Sequence, residues 1–245
     1  MTKILTVAVI KGGTGKTTTC ASIAQAGAVE GKKVLCIDLD PQANLTVCLG
    51  ADTNQAGALE LMQGTPVQDL IQETEQGIDT IAASIDLSVL DKAEDLTLYV
   101  LAEAIKPVVK KYDLIVIDTP PRLSITTYNA LQACNGLLIP MEADIHSLQG
   151  MYQILDIADL VKRSNKKLKV LGCIITRYNR RTNINRLLQR KIQEKAEENG
   201  CSLLTEIRQG VAVQEAQALQ KNLFEYAPRS SAAVDYMELY KTIIK

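Results

Sequence analysis

The stretch Ile4–Ala24, ILTVAVIKGGTGKTTTCASIA, constrains this chain more than any other. An apolar, β-branched run (Ile4, Leu5, Val7, Val9, Ile10) halts at Gly12 and Gly13. Lys16, Thr17 and Thr18 follow, and then an alanine-rich, helix-favouring segment with Ala21, Ile23, Ala24 and Ala28 available to pack. Strand, loop, helix is the order that turns loop N–H groups and a helix N-terminus onto one anion. Gly12, Gly13 and Gly15 let the backbone approach phosphate oxygens closely. Lys16 can reach terminal phosphates, and the Thr17 hydroxyl can ligate Mg²⁺. Thr14 and Thr18 complete the expected nucleotide-binding stretch.

The spacing departs from the ordinary phosphate-binding loop, which needs glycine where this chain has Ile10. A second lysine, Lys11, precedes the glycine pair. KGGTGKTT therefore resembles the deviant Walker A motif of dimeric ATPases that include ParA/Soj, MinD, the nitrogenase iron protein and the arsenite pump ATPase.

Length and composition fit one large α/β domain over residues 1–245. Hydrophobic residues make up 47% of the chain, with no tryptophan and one phenylalanine, Phe224, so the expected core is aliphatic. No run approaches the ~20 apolar residues of a transmembrane helix, and the N-terminus reads directly as a strand rather than a signal peptide. The expectation is a soluble, cytoplasmic protein. Six cysteines are scattered without a C-x-x-C pair, which argues against a zinc site or a disulfide framework and for small core residues. The single histidine, His146, reads as a surface or helix-start residue. Net charge is −1, yet 162–195 holds twelve basic residues and one acid, Glu194. Such a local basic block suggests a surface facing a polyanion.

Along the chain, KKVLCID (32–38) reads as a buried strand, with Asp38 and Asp40 at its carboxyl end. Residues 57–76 read as short helical pieces, 78–84 as a weak strand, and 87–111 as mostly helical. YDLIVIDTPP (112–121) is a second buried strand, ending in Asp118. A helix near 123–134, a strand at 136–141, a helix near 147–164 and a strand at 169–176 follow. An amphipathic helix spans 183–198, with Ile184, Leu187, Leu188 and Ile192 on one side. A strand at 201–205 and helices near 211–220 and 230–243 end the chain. The alternation predicts an α/β fold, a mainly parallel sheet flanked by helices on both faces.

Nucleotide hydrolysis needs a phosphate cradle, a metal and a positioned water. Lys16 and the loop amides offer the cradle. Thr17, Asp38 and Asp118 are the metal candidates. A lone aspartate after a strand is often only a helix cap, but two strand-end acids beside this loop favour catalysis. Ligands in parallel sheets lie at the strands' carboxyl ends.

With DLDPQAN, DLIVIDTPP, AASIDLSVLDKAE, ITRYNRRTN and YAPRSSAAVDYMELYKTI added, nearly the whole chain resembles ParA/Soj partition ATPases. The resemblance implies ATP and Mg²⁺ as cofactors and an ATP-dependent sandwich homodimer. Lys11 would reach the partner's nucleotide, Lys16 would bind its own, and Asp40 would position the attacking water. Pro228 would border the adenine. The resemblance further implies binding of double-stranded DNA without sequence preference, hydrolysis stimulated by a ParB-like centromere-binding protein, and no membrane. Arg180, Arg181, Arg186, Arg190, Arg208 and Arg229 are the candidate DNA contacts. Asn179 stands where the family often has an acid. The chain looks like the small type, without a helix-turn-helix ahead of the loop. A MinD-like membrane-cycling ATPase is the alternative; it needs a basic amphipathic tail, and MELYKTIIK is short for one. An iron-protein-like reductase needs cluster cysteines, and Thr119-Pro120-Pro121 supplies none after Asp118. A tyrosine kinase of the same loop family usually carries a C-terminal tyrosine cluster; Tyr226, Tyr236 and Tyr240 are sparse.

Overall fold

The computed structural model describes residues 2–92, 97–179 and 183–244. In chain order the first half runs β1 (Lys3–Val7), α1 (Lys16–Val29), β2 (Val34–Asp38), α2 (Asn44–Leu49), α3 (Ala58–Met62), β3 (Gln72–Glu73), β4 (Asp79–Ile81), α4 (Val100–Ala104) and α5 (Lys106–Val109). The second half runs β5 (Leu114–Asp118), α6 (Ile125–Ala133), β6 (Gly136–Met141), α7 (Ile145–Val161), β7 (Lys169–Tyr178), α8 (Asn183–Glu198), β8 (Leu203–Arg208), α9 (Val211–Ala218), α10 (Leu223–Tyr226) and α11 (Ser231–Ile243). The strands form one sheet in the order β3-β4-β2-β5-β1-β6-β7-β8. Only the edge strand β3 pairs antiparallel among the described residues.

The central strands read as unbroken apolar runs because both faces are covered. In β5, Leu114 and Val116 pack with α1 and α11 on one face. Ile115 and Ile117, one residue out of phase, pack with α6 and α7 on the other. β2 repeats the division, with Val34 and Cys36 on one side and Leu35 and Ile37 on the other. This two-residue period builds two cores on one sheet. All six cysteines are buried and free, as small core residues should be.

The predicted fold class is the observed one, and the sequence-based bounds shift in three places. The stretch 87–111 is not mostly helical. A 3₁₀ helix at Ile85–Lys92 comes first, and then α4 and α5 break apart at Ile105. Pro107, which has no N–H to donate, sits in the first turn of α5, where a helix tolerates it but cannot run through it. β7 continues past Thr176 to Tyr178, and β8 begins two residues later than the sequence suggests. The amphipathic helix α8 buries only its second half, through Ile192 and Ala196; Ile184 and Leu187 are exposed.

The last helix is fastened to the sheet by one carboxylate. Asp235 on α11 accepts from the Arg208 backbone N–H (2.8 Å), from Nε and from Nη2 (2.6 Å) at the end of β8. Asp235→Ala leaves that half-buried backbone donor and the guanidinium without their acceptor and should cost about 1 kcal/mol. Urea unfolding checks this; no measurable loss would mean that the α11–β8 contact is held by apolar packing alone.

Candidate nucleotide site

Register brings the chemistry together. β5 lies between β2 and β1, with Asp38 paired to Asp118 and Val7 paired to Asp118 across the ladders. The glycine loop leaving β1 therefore arrives beside both strand-end carboxylates. A cavity of about 560 Å³ opens there, lined by the loop from Gly12 through Thr18 and by Asp40.

Gly13 and Gly15 adopt φ of 77° and 80°, the left-handed region that an L side chain resists. Gly15 caps α1, and no side chain occupies the helix's first N–H groups, which leaves them for an anion. Thr176 braces the loop from β7, its hydroxyl donating to Thr14 O at 2.9 Å. A Cβ at Gly15 would meet Thr176 Cγ2 at 3.4 Å, in ordinary van der Waals contact, so the positive φ rather than crowding calls for glycine. Lys16 is buried at 6% exposure, and its ammonium donates to Lys11 O at 3.0 Å. Burial lowers its pKa, while Asp118 and Asp40 act to raise it.

The three acids differ in what they are free to do. Asp38 is saturated. Its Oδ1 accepts from Asp40 N, and its Oδ2 accepts from both the backbone N–H and the hydroxyl of Thr46. It holds the turn that carries Asp40, and its side chain does not line the cavity. Asp118 is the opposite case. Its Oδ1 accepts from Thr119 N, but its buried Oδ2 has no hydrogen-bond partner, and Thr17 lies near it. A buried, unpaired carboxylate oxygen beside a loop hydroxyl suits a hard divalent cation. Asp40 stands at the cavity wall, with Oδ1 anchored by Gln42 N at 3.0 Å.

Lys11 does not line this cavity. Its ammonium bonds Asp144, approaches Ser147 Oγ at 3.0 Å and lies 3.8 Å from Glu142. Burial acts to raise the Asp144 pKa, but the hydrogen bonds from Lys11 and from Ser147 N hold it below the usual value. Glu142 also binds Arg177 at 3.2 Å. Arg177 lines the cavity and takes a left-handed φ of 51°, which a non-glycine residue adopts at a cost. Neither Arg177 nor Gln217, which also lines the cavity and donates to the Thr18 hydroxyl at 3.1 Å, was legible as a site residue. Arg177 lies inside the motif ITRYNRRTN, the one signal that pointed to it; Gln217 sits in an ordinary amphipathic helix.

Other sequence candidates lie elsewhere. Pro228 is exposed in the turn before α11 and does not line the cavity; Val47, Cys48 and Ala218 do. Arg208 has its guanidinium committed to Asp235. Arg186 and Arg190 are exposed on α8, Arg186 donating to Asn183 Oδ1 at 2.6 Å, and Arg229 is exposed beside Pro228. Arg180 and Arg181 lie outside the described residues.

Burial, and then mutual repulsion, raise the pKa of Asp118 to about 7; burial above all raises that of Asp38 to about 6. The folded protein thus keeps protons that an unfolded chain releases near pH ~4. The stabilisation is complete below that pH and is lost as pH rises through about 6 and about 7. Asp118→Asn removes the buried charge, so without nucleotide its Tm should exceed wild type at about pH 8, with the gap closing towards about pH 5. An unchanged or lower Tm at the higher pH would mean that Asp118 is not strained by its ionisation.

A family model described as an AAA domain matches residues 2–170. The sporulation initiation inhibitor protein Soj of Bacillus subtilis is 34% identical over 99% of this chain and 98% of its own. The chromosome-partitioning ATPase Soj of Thermus thermophilus is 33% identical over 96% of this chain and 92% of its own. Among solved structures, cobyrinic acid a,c-diamide synthase from Mycobacterium smegmatis with ADP and magnesium superposes with a TM-score of 0.83 at 28% identity, over 98% and 93% of the two chains. The septum site-determining protein MinD of Pyrococcus horikoshii with Mg-ADP gives 0.81 at 26%, over 99% and 96%. With near full-length identity to Soj and the loop, strand ends and register described above, the chain belongs to the ParA/Soj family of partition ATPases.

Proposed function

We propose that this chain is a Mg²⁺-dependent ATPase for DNA partition, whose ATP-bound homodimer binds double-stranded DNA without sequence preference. In this reading a ParB-like centromere-binding protein stimulates hydrolysis and releases the dimer. The observation that carries it is the separation of the two loop lysines. Lys16 enters the cavity of its own loop, while Lys11 points out of it onto Asp144 and Ser147. A lysine not used by its own phosphates is available to those of a second copy, once it exchanges Asp144 for them.

The remaining roles follow from what each group has free. The loop N–H groups from Gly12 to Gly15 and the Lys16 ammonium hold phosphate oxygens. Mg²⁺, held by Thr17 and Asp118, supplies charge neutralisation on those oxygens. Asp40, fixed through Oδ1, keeps Oδ2 for orienting water. Asp38 positions Asp40 through the backbone. Cytoplasmic, nucleoid-associated placement belongs to the same reading.

For DNA, the exposed Arg186, Arg190 and Arg229 are the contacts we assign, with Arg180 and Arg181, which precede them in the sequence, as further candidates. One copy offers few phosphate contacts; a dimer doubles them. Each neutralised phosphate adds about 0.9 to the slope of log affinity against log salt. Duplex affinity should therefore be strong with ATP and weak with ADP or no nucleotide. Arg190→Ala, which removes two arginines per dimer, should weaken all sequences alike and lower the salt slope by roughly 2. Affinity indifferent to nucleotide, or a strong preference for one short sequence, would overturn the proposal. The likeness to MinD favours a membrane-positioning ATPase as the second reading. ATP-dependent binding to vesicles of anionic phospholipid without DNA binding would put it first.

A further inference from the structure

The basic block of 162–195 does not form one surface. Lys166, Lys167 and Lys169 precede or open β7, whereas Arg177 and the start of α8 lie at its other end. Ten residues of strand span about 30 Å at ~3.3 Å each. The first part of the block is therefore at the amino edge of the sheet, opposite the nucleotide cavity, and the DNA reading does not use it.

That edge holds a trough of about 920 Å³ between α5, the end of α6 and the turn after α7. Its walls are apolar at Ile4, Ile105, Val109 and Ala133. Its neutral polar groups are already engaged. Asn135 bonds Ile4 N and Thr2 O, Asn165 donates to three carbonyls, and Gln132 donates to Ser164. One acid, Asp113, lines it, and that carboxylate accepts from Lys33 N. The rims carry four exposed lysines, Lys106 and Lys110 on one side and Lys166 and Lys167 on the other. Lys106 pairs with Glu103; the other three have no acidic partner among the described residues. Positive charge is crowded here: Lys3 has its pKa lowered by burial and then by Lys169.

We infer that this trough docks an acidic peptide segment of a partner protein, with an apolar side chain in the trough and carboxylates on both rims. Charge complementarity decides the occupant. A small anion drawn to the bottom would meet no free donor there, because the polar groups are satisfied and the ammonium groups sit outside. A duplex would touch the lysines without filling the apolar floor. A chain with an apolar anchor flanked by acids meets both at once, which is how anchors and rims divide at protein interfaces. The inference stands apart from the DNA reading, since it uses other residues at the other edge.

The test is fluorescence anisotropy on the full chain with a labelled peptide, Asp-Glu-Leu-Glu-Phe-Asp-Glu. Saturable binding is expected. The double variant Lys110→Glu/Lys166→Glu should weaken it about tenfold, with the ATPase rate and Tm unchanged because both side chains are exposed. Replacing the peptide's leucine and phenylalanine by serine should weaken it by a similar factor. Three results would overturn the inference: no saturable binding, equal binding of the serine peptide, or displacement of the peptide by a DNA duplex that the double variant no longer binds.

Discussion

Everything at the carboxyl edge depends on two buried carboxylates brought side by side. Parallel pairing of β2 and β5 places Asp38 against Asp118, and both are fully buried. Two such charges repel and are poorly solvated, so each needs compensation. Asp38 finds it in three donors from its own turn. Asp118 has the buried Lys16 nearby and keeps one oxygen unpaired. The difference assigns the work. One acid shapes the DxD turn, and the other keeps an unmet demand for positive charge, which a nucleotide's metal can meet.

The same economy of placement separates the lysines of the loop. The five-residue spacing from Lys11 to Lys16 puts one ammonium inside the glycine turn and the other on the far side, against the start of α7. Asp144, Ser147 and Glu142 gather Lys11 there, and Glu142 also ties down the strained Arg177 that lines the cavity. The loop, β7 and α7 are thereby joined at one cluster of charges. A change that calls Lys11 away also alters what holds Arg177.

The fold was legible because strands buried on both faces leave a continuous apolar run, and because the glycine loop and two strand-end acids mark which end of the sheet matters. Lys16, Thr17 and Asp40 are legible for that reason as residues of one cavity, with Asp118 at the neighbouring strand end. Asp38 reads as a metal candidate in the sequence; the three donors that its oxygens accept, two of them from Thr46 eight residues on, are not visible there. Pro228 and Arg208 came from resemblance near the chain's end, and there tertiary contacts decide: Pro228 lies outside the cavity, and Arg208 belongs to Asp235. The basic block reads as one surface because adjacency along a chain does not show that β7 carries Arg177 and the start of α8 a strand's length away from Lys166 and Lys167. The break between α4 and α5 was marked by Pro107, a signal outweighed by apolar periodicity.

In the proposed function Asp40 orients water while Lys11 serves a second copy's nucleotide. Sedimentation velocity with Mg·ATP, comparing Asp40→Ala with Asp40→Ala/Lys11→Ala, tests both roles in one series. The account predicts a long-lived ATP dimer for the single variant and a nucleotide-bound monomer for the double. An undiminished dimer in the double variant, or a single variant that turns over ATP and returns to monomer as fast as wild type, would contradict it.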